Sequence, residues 1–85
     1  MADRITFHLS NDQMTDVNVS VWDDRNGSLV VDNAPLNQGD VIDVQVIADS
    51  DGRGAAHWVF ASSDGSVNSN KQQPDIQEGD NCTLG

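Results

Sequence analysis

Val17-Asn18-Val19-Ser20-Val21-Trp22-Asp23-Asp24-Arg25-Asn26-Gly27-Ser28-Leu29-Val30-Val31 is the stretch whose reading decides the fold. Val17, Val19 and Val21 alternate with Asn18, Ser20 and Trp22, the period-2 pattern of a strand with one buried face. Asn-Gly between two such runs is a hairpin signal, because glycine accepts the positive φ that a tight turn requires. A two-residue loop at Asn26-Gly27 would set Val21 opposite Asp32 and put a carboxylate on the apolar face. A three-residue loop, Arg25-Asn26-Gly27, pairs Asp24 with Ser28 and Val21 with Val31, keeping like faces together. The expected turn is therefore type I with a G1 bulge.

The same punctuation recurs at Ser50-Asp51-Gly52 and Ser63-Asp64-Gly65. Ile5, Phe7 and Leu9 alternate before the first turn; Ile42, Val44, Val46 and Ala48 alternate before the second, and Ala56, Trp58 and Phe60 after it. A bulged turn at residues 50–52 would pair Val46 with Ala56, Val44 with Trp58 and Ile42 with Phe60. Past Gly65 the alternation fades, and residues 68–75 read as a long loop. A weak internal echo follows. Leu36-Asn37-Gln38-Gly39-Asp40 leads into Val41, and Ile76-Gln77-Glu78-Gly79-Asp80 leads into residues 81–84. That echo predicts a short terminal strand with Cys82 and Leu84 inward, able to lie at an exposed edge or to add to a neighbour's sheet. No segment carries a sustained 3.6-residue pattern. The expectation is one all-β domain over residues 1–85, a small antiparallel β-sandwich or meander of six to seven short strands joined by tight hairpins.

Eighty-five residues with 36% hydrophobic content make a modest core. A chain of this size buries only about 60–65% of its unfolded surface. Trp22, Trp58, Phe7 and Phe60 must carry much of that burial, or a second subunit must help, so a homo-oligomer is one expectation.

Net charge is −10, and Glu78 is the only glutamate among the 14 acidic residues. Aspartate is first of all turn chemistry, since its short carboxylate accepts bonds from nearby backbone N–H groups. The charge argues against direct nucleic-acid binding, which draws on Lys and Arg to displace counterions. It equally disfavours attachment to anionic lipid, and no run is long enough for a membrane span. No apolar h-region marks the N-terminus as an export signal, and the chain reads as soluble. A basic protein partner, a bound cation or saline surroundings would each suit the acid better, although salt adaptation should recruit glutamate as well. One cysteine excludes an internal disulfide, and no His/Cys spacing suggests zinc.

Two candidate sites follow. In an up-and-down order, Asp23, Asp24, Asp49 and Asp51 fall at one end of the sheet, where they could give calcium hard oxygen ligands. Residues 49–54 start like an EF-hand loop, but Phe60 stands where the bidentate glutamate belongs. The bland alternative is that these aspartates cap turns. The second candidate is the polar side of the strands, where Trp22, His8, Asp43, Gln45 and His57 point away from the apolar set. An indole beside carboxylate, amide and imidazole groups suits a sugar ring, through C–H stacking and hydroxyl hydrogen bonds. Its alternatives are an interface tryptophan, or an indole packed under a long Asp32–Asp40 loop. Catalysis draws little support, since neither Cys82 nor any carboxylate has an orienting partner in view. The leading expectation is a non-enzymatic, lectin-like carbohydrate- or polar-ligand-binding module, with calcium and oligomerisation as accessories. The alternative is an acidic inhibitor-like protein that occupies the basic, nucleic-acid-binding surface of a partner.

Overall fold

The computed structural model describes residues 4–85. Alternation becomes strand wherever the sequence shows it, and no helix occurs among the described residues. The strands are β1 (Arg4–Ser10), β2 (Val17–Asp23), β3 (Ser28–Leu36), β4 (Val41–Ile47), β5 (Gly54–Ala61), β6 (Asn68–Ile76) and β7 (Asn81–Thr83). They form a three-stranded sheet in the order β4-β1-β7 and a four-stranded sheet in the order β3-β2-β5-β6. The architecture is the expected all-β sandwich rather than a meander. Every inward position named from the alternation in β1, β2 and β5 is buried, and Phe7 stacks on Trp58 across the core at 6.1 Å. The Trp58 Nε1–H donates to the Leu84 carbonyl at 3.0 Å, so burying this indole leaves no polar group unpaired.

Two connections are hairpins, β2–β3 and β5–β6. In the first, Val21 pairs with Val31 as the register argument requires. The loop is one residue longer than expected, however: Asp23, not Asp24, faces Ser28, and a bulge at Val30 absorbs the difference. Gly27 takes φ +74° and its N–H donates to the Asp23 carbonyl at 2.7 Å. The second hairpin corrects a reading. Residues 68–75, which read as loop, belong to β6 and pair with β5 from Ala61↔Asn68 to Ala56↔Gln73. Their polarity is that of an edge strand, exposed on one side and carrying Pro74, where lost ladder bonds cost least.

The turn at residues 50–52 is not a hairpin. β4 pairs with β1 (Ile5↔Val46, Phe7↔Val44, Leu9↔Ile42), and β5 pairs with β2 (Val21↔Trp58, Val19↔Phe60). Both arrangements keep apolar faces together, so alternation alone cannot choose between them. The chain instead arches from one sheet to the other, closed by Asp49 N–H to the Arg53 carbonyl at 2.9 Å. Gly54 marks the tightest point, where an added Cβ would sit 2.7 Å from Val46 Cγ2 and 3.1 Å from Ile5 Cδ1.

The internal echo is structural. After Leu36 and after Ile76, both buried, the chain turns through Gly39 (φ +81°) and Gly79 (φ +80°) and crosses from the four-stranded to the three-stranded sheet. The first crossover delivers β4 to one side of β1. The second delivers β7 to the other side, where it runs parallel with His8↔Asn81 and Ser10↔Thr83. The terminal strand lies at an edge, one of its two expected placements, with Leu84 buried and Cys82 half-buried.

Replacing Gly54 by Ala should cost about 1–3 kcal/mol, because Val46 sits in a packed core and has little room to yield. Urea denaturation checks this, and an unchanged midpoint would contradict the close approach of the sheets. In the β5–β6 loop, Asp64 Oδ1 accepts from the Ser62 hydroxyl (2.7 Å) and from the N–H and hydroxyl of Ser66 (3.0 and 2.7 Å). These bonds, that of Ser62 foremost, hold the Asp64 carboxyl down at about 2. A pKa depressed on folding adds stability that is complete above the unfolded value near 4 and is lost as pH falls towards about 2. The stability gap between the native chain and Asp64→Ala, followed by thermal melts, should therefore close over that window.

Candidate functional site

The structure divides the sugar-binding candidates. His8, Asp43 and Gln45 lie on the outer face of the three-stranded sheet, where His8 pairs with Asp43 and Thr6 with Gln45. Trp22 and His57 lie on the outer face of the four-stranded sheet, on the opposite side of the sandwich. Alternation reports which residues leave the core. It does not report which of two sheets they leave from, so a single cluster of all five does not form.

The aspartate quartet also separates. The loops that carry it do share one end of the molecule, joined by Arg25 Nη2 to Asp49 Oδ2 at 3.2 Å. Asp23, however, is only 1% exposed, and its carboxylate accepts from the Arg25 N–H (3.0 Å) and the Ile47 N–H (2.8 Å). Asp24 points the other way and meets the His57 Nδ1 at 2.5 Å. Because a carboxylate can only accept, the imidazole donates through Nδ1. Asp49 organises its own turn. The Arg53 N–H, against slight desolvation and helped by the Asp51 N–H and Arg25, holds its carboxyl below the usual range. Among the described residues no three His, Cys, Asp or Glu side chains gather to hold a metal ion. Added calcium or EDTA should accordingly leave the thermal midpoint unchanged, whereas a rise of several degrees with calcium would contradict this geometry.

Cys82 offers no activated nucleophile. Burial, with Asp80 nearby, pushes its thiol pKa up, away from the thiolate.

What the fold does assemble is the outer face of the four-stranded sheet, and strand register fixes its rows. Across β3, β2, β5 and β6 the first row reads Leu29, Trp22, His57 and Gln72. The next places Ser20 beside Val59 and Asn70, with the Asn33 N–H donating to Ser20 Oγ at 2.9 Å. The third reads Pro35, Asn18, Ala61 and Asn68. Trp22 is half-buried and stacks on His57 at 5.0 Å with 5° between the rings. One indole face is thus covered by imidazole, and what the surface offers a ligand is an aromatic ridge rather than a flat platform.

Two hollows flank Val59, which is 40% exposed. One, of about 310 Å³, lies over Asn18, Ser20, Asn33 and Pro35 and reaches Asp16 and Asn37 at the sheet end. The other, of about 480 Å³, lies over His57, Asn70, Lys71 and Gln72 beside Asp24. Asn33 holds φ +48°, the one non-glycine residue with positive φ among those described. Asparagine tolerates this left-handed region, and here it lets β3 bulge beside the hollow. The amide-rich hollow was the part sequence reasoning missed. Its available signal was Asp32-Asn33, a pair that tolerates left-handed backbone inside what proves to be a bulged strand.

No family model, curated protein or solved structure matches the chain, so these two sheet faces bear the whole weight of a functional reading.

Proposed function

We propose that the chain is a non-enzymatic binding module whose four-stranded sheet takes an uncharged polar ligand, carbohydrate by preference, on its outer face. One observation carries the reading. In a chain of net charge −10, the register-paired positions of that face hold amides, a hydroxyl, a Trp–His ridge and apolar groups, and the acidic residue within its rows is Asp32, exposed beside Asn33 in the β3 bulge opposite Ser20. Other charges stand at its margins, at Asp16, Asp24 and Lys71. Side-chain amides donate and accept at once, matching sugar hydroxyls, while Trp22, Leu29 and Val59 suit the C–H faces of the rings. His8, Asp43 and Gln45 play no part in this site, and neither does calcium.

An acidic protein that covers a basic surface is the weaker reading. Such a protein would need its carboxylates pooled and free, yet Asp23, Asp49, Asp64 and Asp80 accept backbone bonds within their own turns, and Asp16 accepts from the Gln38 N–H in the β3–β4 crossover.

Glycan-array binding that survives raised salt and falls at least tenfold in Trp22→Ala and in Asn18→Ala is the expected result, with circular dichroism confirming that both variants fold. An array blank for the native chain would overturn the proposal. Salt-sensitive capture of a basic protein by a chain blank on the array would favour the second reading.

A further inference from the structure

The sandwich has four sheet edges, and three are guarded. β3 carries two register breaks and Pro35, β6 is polar with Lys71 and Pro74, and β7 is three residues long. Those are recognised defences against edge-to-edge pairing. β4, Val-Ile-Asp-Val-Gln-Val-Ile, has none of them: it is regular, rich in β-branched residues and carries one charge.

Hydrogen bonds fix which β4 groups face outward. On β1 the His8 N–H donates to the Asp80 carbonyl, and the Thr6 and Ser10 carbonyls accept from Gly79 and Leu84. Residues 6, 8 and 10 therefore turn their backbone groups towards β7, and residues 5, 7 and 9 towards β4. Their partners Val46, Val44 and Ile42 bond back to β1. Val41, Asp43, Gln45 and Ile47 consequently point at the open edge, and the Ile47 N–H does find Asp23 there, at 2.8 Å. No described residue bonds the Asp43 or Gln45 backbone on that side. Alongside runs a groove of about 570 Å³, where Val30 and Val31 of β3 stand half-buried beneath the β4 edge.

We propose that this edge pairs with the β4 edge of a second copy, antiparallel about a two-fold axis at Val44, joining two three-stranded sheets into one. The register follows from the charges. Antiparallel pairing must match outward-facing residues with outward-facing residues. A two-fold at Asp43 would set the two Asp43 carboxylates directly opposite each other, which is repulsive. A two-fold at Gln45 would set Asp43 against Ile47, giving its carboxylate no donor across the joint and, because the Ile47 N–H already belongs to Asp23, leaving Gln45↔Gln45 as the one pair with both N–H groups free. A two-fold at Val44 sets each Asp43 opposite the other copy's Gln45, where the carboxylate accepts from the side-chain amide and both residues exchange backbone bonds. A polar ladder then crosses the joint, from His8 to Asp43 in one copy and on through Gln45 to Thr6 in the other. Beneath it the buried Val44 and Val46 stay in each copy's own core, and the half-buried Ile42, Val30 and Val31 lie along the joint. The interface uses the sheet opposite the proposed sugar site and stands independently of it.

Sedimentation of the full chain over a range of concentrations tests this, with amide hydrogen exchange read at Asp43 and Gln45. A monomer–dimer equilibrium is expected that tightens as salt screens the net charge, with both amides becoming protected as dimer forms. Gln45→Lys, facing Asp43, should tighten it at least threefold more than the same charge change made by Met14→Lys, at an 86% exposed site on the β1–β2 loop. Gln45→Pro should give a folded monomer, because that N–H serves no bond within the chain. A chain monomeric at every concentration and salt would overturn the proposal. So would a dimer whose Asp43 and Gln45 amides stay open, or one in which Gln45→Lys acts no differently from Met14→Lys.

Discussion

The Asp23 carboxylate, buried at the end of β2, ties the central strand of one sheet to the edge strand of the other through the Ile47 N–H. Its second oxygen accepts from the Arg25 N–H and shapes the β2–β3 loop. A buried carboxylate is costly unless its lone pairs are met, and here both oxygens are engaged by backbone donors that would otherwise lack partners. Much follows from that bond. It ends the β2–β3 ladder at Asp23, leaves Asp24 to turn outward onto His57, and withdraws Asp23 from any metal. It also occupies the Ile47 N–H at one end of the β4 edge.

Charge is segregated by the same chemistry. Aspartates gather where the backbone leaves the sheets, because turns and crossovers hold N–H groups that ladders do not satisfy. Asp16 accepts from Gln38, Asp49 from Asp51 and Arg53, Asp64 from Ser66, and Asp80 from Gln77. The outer face of the four-stranded sheet is left mainly to amides and hydroxyls, as suits an uncharged ligand. The strong acidity thus belongs chiefly to the rims of the sandwich, and the proposed binding face carries Asp32 within its rows and its other charges at the margins.

Strand existence and facing were legible in the sequence because alternation records burial directly: Phe7, Val21, Val44 and Trp58 all lie where the pattern puts them. Partnership was not. Glycine at residue 52 reports a positive φ, which a hairpin and an inter-sheet arch share, and Val44 packs its apolar face as well beside Phe7 as beside Trp58. The Leu36–Asp40 and Ile76–Asp80 echo did mark both crossovers, but sequence offers no measure of where a crossover lands. β6 was missed because a polar edge strand buries little and so loses its alternation. The candidate site suffered from the same ambiguity. With two sheets instead of one, residues sharing a polar side in sequence, such as His8 and Trp22, part to opposite faces.

The most direct test of the central claim, that the outer face of the four-stranded sheet is the binding face, is residue-resolved NMR of the chain titrated with an array-selected oligosaccharide. Amide shifts confined to Asn18, Ser20, Asn33, His57 and Val59, with His8 and Asp43 unmoved, are the predicted result. Shifts centred on β1 and β4, or no shifts at saturating sugar, would contradict it.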